Sequence, residues 1–67
     1  MNYKNYLENY VKAYENHFNN EKKSNITWEK LQYAGWLIDK YCSELNLKTW
    51  YKGCYEDCKK LLGLTAN

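Results

Sequence analysis

Apolar and aromatic side chains recur every three or four residues between Tyr3 and Phe18. Because an α-helix completes a turn in about 3.6 residues, this spacing places them on one side of a helix. The other side is polar, and Glu8 and Lys12 are spaced as a favourable i,i+4 pair. The stripe comprises Tyr3, Leu7, Tyr10, Tyr14 and Phe18, flanked by Tyr6, Val11 and His17. The pattern predicts a first helix over about residues 2–19.

A second helical stripe follows the polar stretch Asn19–Asn25, which we expect to be the first loop. Thr27 is the expected N-cap because its hydroxyl can accept a hydrogen bond from an amide of the first turn. Glu29 suits the positive end of the helix dipole, and Asn46 is the expected stop. The main apolar face comprises Trp28, Leu31, Ala34, Gly35, Ile38, Cys42 and Leu45. These signals predict a second helix over about residues 28–45.

A third stripe begins after Thr49, which is the expected cap of the last helix. Gly63 is the expected C-terminal stop, and Lys59 and Lys60 precede it where cations favour a helix end. The apolar side comprises Trp50, Cys54, Cys58 and Leu61, widened by Tyr51, Tyr55 and Leu62. The pattern predicts a third helix over about residues 50–62.

Together the three segments predict an all-α fold, a compact three-helix bundle that forms a single helical domain over residues 1–67. Strand alternation is nowhere sustained. A domain of this size buries only about 60% of the surface of its unfolded chain, so we expect marginal stability without a partner. A partner that covers apolar surface would add stability.

The predicted second helix carries a second apolar face, because Tyr33, Trp36 and Leu37 point away from its main one. One interpretation is a central helix covered on both sides within one chain. The other is an exposed aromatic anchor with Lys30 and Lys40 on its rim, a composition typical of protein-interface hot spots. We therefore take Tyr33, Trp36, Leu37 and Lys40 as candidate partner-binding residues, for a larger protein or for a homodimer. The tyrosines of the first helix pose the same choice, and there we expect core-edge packing.

Nucleic-acid binding has weaker support from the sequence than protein binding. All ten basic residues are lysines, against eight acidic residues, and the net charge of +2 is too small to indicate polyanion binding. The segment 42–52 nevertheless looks like the start of a helix-turn-helix motif. Glu56 and Asp57 fall in the would-be recognition helix, where carboxylates oppose a polyanion. A helix-turn-helix-like regulator is thus the alternative, with nucleic-acid contacts at Lys48, Thr49, Lys52 and Lys59.

Catalytic and metal-binding patterns are sparse. Cys42, Cys54, Cys58 and His17 supply the ligand types of a Cys₃His zinc site, but no CxxC pair is present. Cys54 and Cys58 are four residues apart on one helical face, and burial is the expected role for such thiols. A single histidine and the lack of phosphate-loop, GxSxG or HExxH motifs give no catalytic residues. We expect no enzymatic activity, no metal and no cofactor.

The chain has no stretch that we expect to act as a signal peptide or a membrane span. Three cysteines fit free thiols in a reducing compartment, so we expect a cytoplasmic protein. Abundant Asn, Lys and Tyr with no Arg or Pro indicate A+T-rich codons, as in a low-GC bacterium, its phages or mobile elements. The sequence therefore predicts a non-enzymatic protein-binding module, an accessory or inhibitor protein that docks on a larger host or viral protein. A structural subunit of a larger particle is a further possibility, which would differ from an accessory or inhibitor protein mainly in the stoichiometry of its complex.

Overall fold

A computed structural model describes residues 3–19 and 24–64 of the chain, and these residues form a bundle of three α-helices. The helices are α1 (Lys4–Phe18), α2 (Asn25–Tyr41) and α3 (Tyr51–Leu62), and a short 3₁₀ helix, Ser43–Leu45, follows α2. Within the described ranges no residue lies in a strand. The predicted all-α three-helix bundle is confirmed.

The second helix begins at Asn25, because Ser24 is its N-cap and Thr27 is not. Ser24 has an extended backbone, and its Oγ accepts a hydrogen bond from the Thr27 amide at 3.2 Å. The Ser24 amide donates in return to Thr27 Oγ1 at 3.2 Å. This capping box pairs two amides that the helix itself leaves unpaired. Thr27 therefore takes the place that Glu or Gln usually occupies in the box, and the predicted cap is wrong.

The same helix ends at Tyr41 and does not continue to Leu45. The 3₁₀ helix Ser43–Leu45 prolongs the helical spacing of apolar residues without being part of α2. Asn46 follows with φ 54, a left-handed conformation that asparagine adopts more easily than most residues. The connection between α2 and α3 thus spans residues 42–50, and a helix-turn-helix motif has a turn of roughly three or four residues. The predicted likeness to that motif is wrong in this respect.

The third helix begins without a side-chain cap and ends in a C-terminal capping motif. Its N-cap is Trp50, which makes no side-chain capping bond, so the predicted cap at Thr49 is wrong. At the other end Gly63 has φ 73, and its amide donates to the Lys60 carbonyl at 3.1 Å. The Leu64 amide donates to the Lys59 carbonyl at 2.9 Å. These two bonds form a Schellman motif, and the predicted stop at Gly63 is confirmed.

The first helix is the one on which both others pack. Helix α1 contacts α2 and α3 extensively, whereas α2 and α3 share few contacts. The Tyr10 hydroxyl crosses from α1 to donate to the Tyr51 carbonyl at 3.1 Å, which satisfies a phenol in the core. The buried cluster comprises Leu7, Tyr10, Val11, Leu31, Ala34, Ile38, Cys42, Cys54 and Cys58. The interpretation of the second helix as the central one, covered on both sides, is therefore wrong.

Three aromatic residues assigned to the interior, Phe18, Trp50 and Tyr51, lie at the surface, and so does Leu61 of the predicted apolar side of the third helix. Phe18 is 37% exposed, and His17 is buried in its place with Nδ1 2.8 Å from Thr27 Oγ1. Trp50 is 59% exposed because α3 begins only after it, and its indole covers the backbone of Gly53 from outside.

Candidate functional site

Two of the predicted partner-binding residues form an exposed aromatic pair on α2. Tyr33 is 60% exposed and Trp36 is 51% exposed, and their rings stack with centroids 5.9 Å apart at an interplanar angle of 22°. They lie on the side of α2 opposite the buried Leu31 and Ile38, as the helical spacing predicts. Leu37 is half-buried at the edge of this pair. The second apolar face of the helix is therefore open to a partner in the single chain.

The Lys40 ammonium group lies over one ring of the pair, the indole of Trp36. Its Nζ lies 4.8 Å from the centroid of Trp36 and 5.3 Å from that of Tyr41. Tyr41 in turn stacks on Tyr6 of α1 with 5.1 Å between centroids. An exposed cation–π contact is worth about 0.5–1 kcal/mol, so it favours this arrangement of the ammonium group and the indole only weakly.

Two further side chains share this surface, although the sequence pattern assigned neither of them to it. Ile26 is 65% exposed, and Glu29 is also exposed. We name the set comprising Ile26, Glu29, Tyr33, Trp36 and Lys40 the outer face of α2. The signal that could have found them is their spacing of three, four, three and four residues along the polar side of the helix.

One edge of the outer face borders a groove between α2 and the connection to α3. The groove has a volume of about 620 Å³, and Trp36 and Asp39 form one wall while Lys48 forms the other. Tyr10 and Cys54 lie at its floor. The groove exists because α2 and α3 share few contacts. Its size falls in the range of small-molecule sites, but polar and charged side chains line much of it.

All three cysteines are free and buried. Hydrogen bonding from the Cys58 thiol lowers the pKa of Cys54, and the same bond together with burial raises the pKa of Cys58. Burial also raises the pKa of Cys42. The His17 ring contacts those of Phe18 and Trp28. Across residues 3–19 and 24–64, no three His, Cys, Asp or Glu side chains are grouped to hold a metal ion.

The residues of the alternative nucleic-acid surface are divided between the connection and α3. Lys48 and Thr49 are exposed in the connection, and the Lys48 amide donates to Asp57 Oδ2 at 3.0 Å. Lys52 and Lys59 are seven residues apart and share one side of α3. Glu56 is exposed between them on that side, where its carboxylate opposes a polyanion. The ammonium groups of Lys48 and Lys59 lie over aromatic rings, those of Trp50 and Tyr55.

The structure defines the class of this chain as a small three-helix bundle, and comparison with known proteins adds no relative to it. A scan of protein-family models, a search of curated proteins and a search of solved structures each give no match. Among the helices of the described residues, none combines the length and apolar character required to cross a bilayer.

Proposed function

We propose that this chain is a non-enzymatic protein-binding module that docks on a larger protein through the outer face of α2. The observation that carries the proposal is the stacked, exposed pair of Tyr33 and Trp36 with the Lys40 ammonium over the indole. Trp and Tyr are the residue types that dominate interface energetics when a partner desolvates them. Leu37 and Lys40 complete the contact set at the edge and end of the pair.

In this proposal the chain acts in the cytosol as an accessory or inhibitor protein of a phage or mobile element. The free state of all three cysteines supports a reducing compartment. The A+T-rich composition supports the origin, and the small size of the domain supports a role in binding a larger host or viral protein. A structural subunit of a larger particle would use the same face at a fixed stoichiometry.

Affinity capture with the purified chain tests the docking. The Trp36→Ala variant is compared with Trp50→Ala, which removes an indole of similar exposure from another surface. We expect the native chain and Trp50→Ala to retain one stoichiometric protein that Trp36→Ala loses. With that protein purified, the Trp36→Ala dissociation constant should rise roughly 30-fold, the loss typical of a hot spot. Equal affinity of Trp36→Ala and the native chain, with both folded by circular dichroism, would refute the proposal.

A nucleic-acid-binding regulator is the second candidate. The shared side of Lys52 and Lys59 on α3 favours it, whereas the intervening Glu56 weighs against it. It predicts an affinity for DNA or RNA that falls steeply as salt increases. An unchanged electrophoretic mobility of DNA and RNA at low salt would remove this candidate.

A further inference from the structure

The outer face of α2 has the spacing of a helix-pairing seam. Its five members are separated by three, four, three and four residues, which is the a/d pattern of a coiled coil. The buried Leu31, Ala34 and Ile38 face α1 from the other side of the same helix. Because one side of α2 packs within the chain, the seam is available to a second helix.

Four of the five seam residues are complementary to their own reverse, and the fifth, Ile26, falls opposite Ser43 beyond the end of α2. If α2 is inverted about the midpoint between Ala34 and Gly35, Tyr33 exchanges with Trp36 and Glu29 exchanges with Lys40. The two aromatic positions lie about 2 Å from that midpoint along the axis, and the two charged positions lie about 8 Å from it. An inverted copy therefore presents an aromatic ring to each aromatic ring and a charge of opposite sign to each charge.

We propose that a second copy of the chain covers this face, with the two α2 helices antiparallel about a two-fold axis. Tyr33 then packs on Trp36 of the second copy, and Glu29 pairs with Lys40 of the second copy, twice each by symmetry. The inference rests on the proposed function, because it assigns an occupant to the same face, and it adds that the free chain is a dimer. Burial of the rings would also stabilise a domain with a small core.

The charges favour the antiparallel arrangement over the parallel one. In a parallel pair Glu29 would meet Glu29 and Lys40 would meet Lys40, and like charges directly opposite each other are destabilising. In the antiparallel pair both contacts are between opposite charges. The orientation of the two copies thus follows from the positions of one acid and one base on the seam.

Charge reversal with analytical ultracentrifugation tests the inference. We expect the native chain to be a dimer and the single variants Glu29→Lys and Lys40→Glu to raise the dimer dissociation constant at least roughly tenfold, since each faces like charges. A mixture of the two single variants should form a heterodimer, and the double variant Glu29→Lys/Lys40→Glu should again form a homodimer. Trp36→Ala should weaken the dimer more than either single charge reversal does. Glu56→Lys and Lys52→Glu make the same changes at exposed positions of α3 and should have no effect.

Several results would overturn the inference. A native chain that stays monomeric up to millimolar concentration would overturn it. Single charge reversals that leave association unchanged would also overturn it, because that result fits a parallel pair, which has like charges opposite each other before and after each reversal. A monomer that still binds a larger protein through Trp36 contradicts the dimer and leaves the docking proposal standing. A dimer that responds to the reversals as expected, but from which no protein is captured through Trp36, supports the dimer and contradicts the docking.

Discussion

The Tyr55 hydroxyl on α3 donates a hydrogen bond to Glu15 Oε2 on α1 at 2.6 Å. Tyr14, the neighbour of Glu15, stacks on the same phenol with 4.1 Å between ring centroids. Burial and the bond to the carboxylate raise the pKa of Tyr55 to about 12. The contact depends on the phenolic proton, because an ionised tyrosine has none to donate and would face a negative charge. The α1–α3 contact is therefore sensitive to alkaline pH.

We expect the free energy of unfolding to fall as the pH rises from about 10 to about 12. In this window Tyr55 loses its proton in the unfolded chain and keeps it in the folded one, so the folded state binds more protons and stability decreases with pH. Tyr55→Phe should reduce the slope, because it removes a phenol whose pKa is higher in the folded chain than in the unfolded one. Urea unfolding at several alkaline pH values measures the slope. An equal slope in Tyr55→Phe and the native chain would contradict the role of this bond.

Ser24→Ala should destabilise the protein by about 1 kcal/mol, because it removes the acceptor for the Thr27 amide and breaks the capping box. Ser43→Ala changes an exposed serine outside the α-helices and should be neutral within about 0.5 kcal/mol. Urea denaturation at neutral pH provides both values. A neutral effect of Ser24→Ala would mean that the first turn of α2 is held without its cap.

Much of the fold could be predicted because helical periodicity depends on local spacing alone. Leu7, Tyr10, Leu31 and Ile38 were all placed correctly on core-facing sides. The start of α2 was missed because two hydroxyl residues three apart, Ser24 and Thr27, can each serve as a cap, and the capping box that decides between them usually has Glu or Gln at its second position. The end of α2 was missed because a 3₁₀ helix continues the apolar spacing.

The sequence predicted the side of α2 on which the candidate site lies, but not whether another helix covers it. A helical wheel places Tyr33 and Trp36 opposite the core, yet whether another helix covers them depends on which helix is central. Which helix is central is a tertiary property. The apolar content of α2 suggested that α2 is the central helix, but the structure has α1 there. Ile26 was missed because the helix was expected to begin after it. Trp50 was assigned to the core because apolar spacing does not reveal that its helix begins one residue later.

Gly35→Ala should stabilise the protein by about 0.5–1 kcal/mol. Gly35 lies inside α2, where glycine costs about that amount relative to alanine, and an added Cβ would meet Tyr10 Cε2 at an ordinary contact distance of 3.5 Å. The same change at Gly63, where φ is 73, should destabilise by about 1 kcal/mol because alanine is strained there. Urea denaturation compares the two variants. A loss of stability in Gly35→Ala would show that α1 and α2 cannot give way at this contact.

Cys54 should be the first of the three thiols to react with iodoacetamide under native conditions. Cys54 lines the groove beside α2, as Cys42 also does, but the hydrogen bond from Cys58 lowers the pKa of Cys54 alone, so more of it is thiolate at a given pH. Cys58 has a raised pKa and is fully buried, and Cys42 has a raised pKa as well. Peptide mass spectrometry after partial alkylation gives the order.

The pH dependence of this reaction separates the pKa of Cys54 from its accessibility. The alkylation rate of Cys54 in the folded chain should level off at a lower pH than the rate of the same residue in urea, because only the fold provides the hydrogen bond from Cys58. Accessibility alone would change the maximal rate and leave the pH of the midpoint in place. Modification of Cys42 or Cys58 ahead of Cys54, or a midpoint in the folded chain at or above that in urea, would contradict the proposed thiol arrangement.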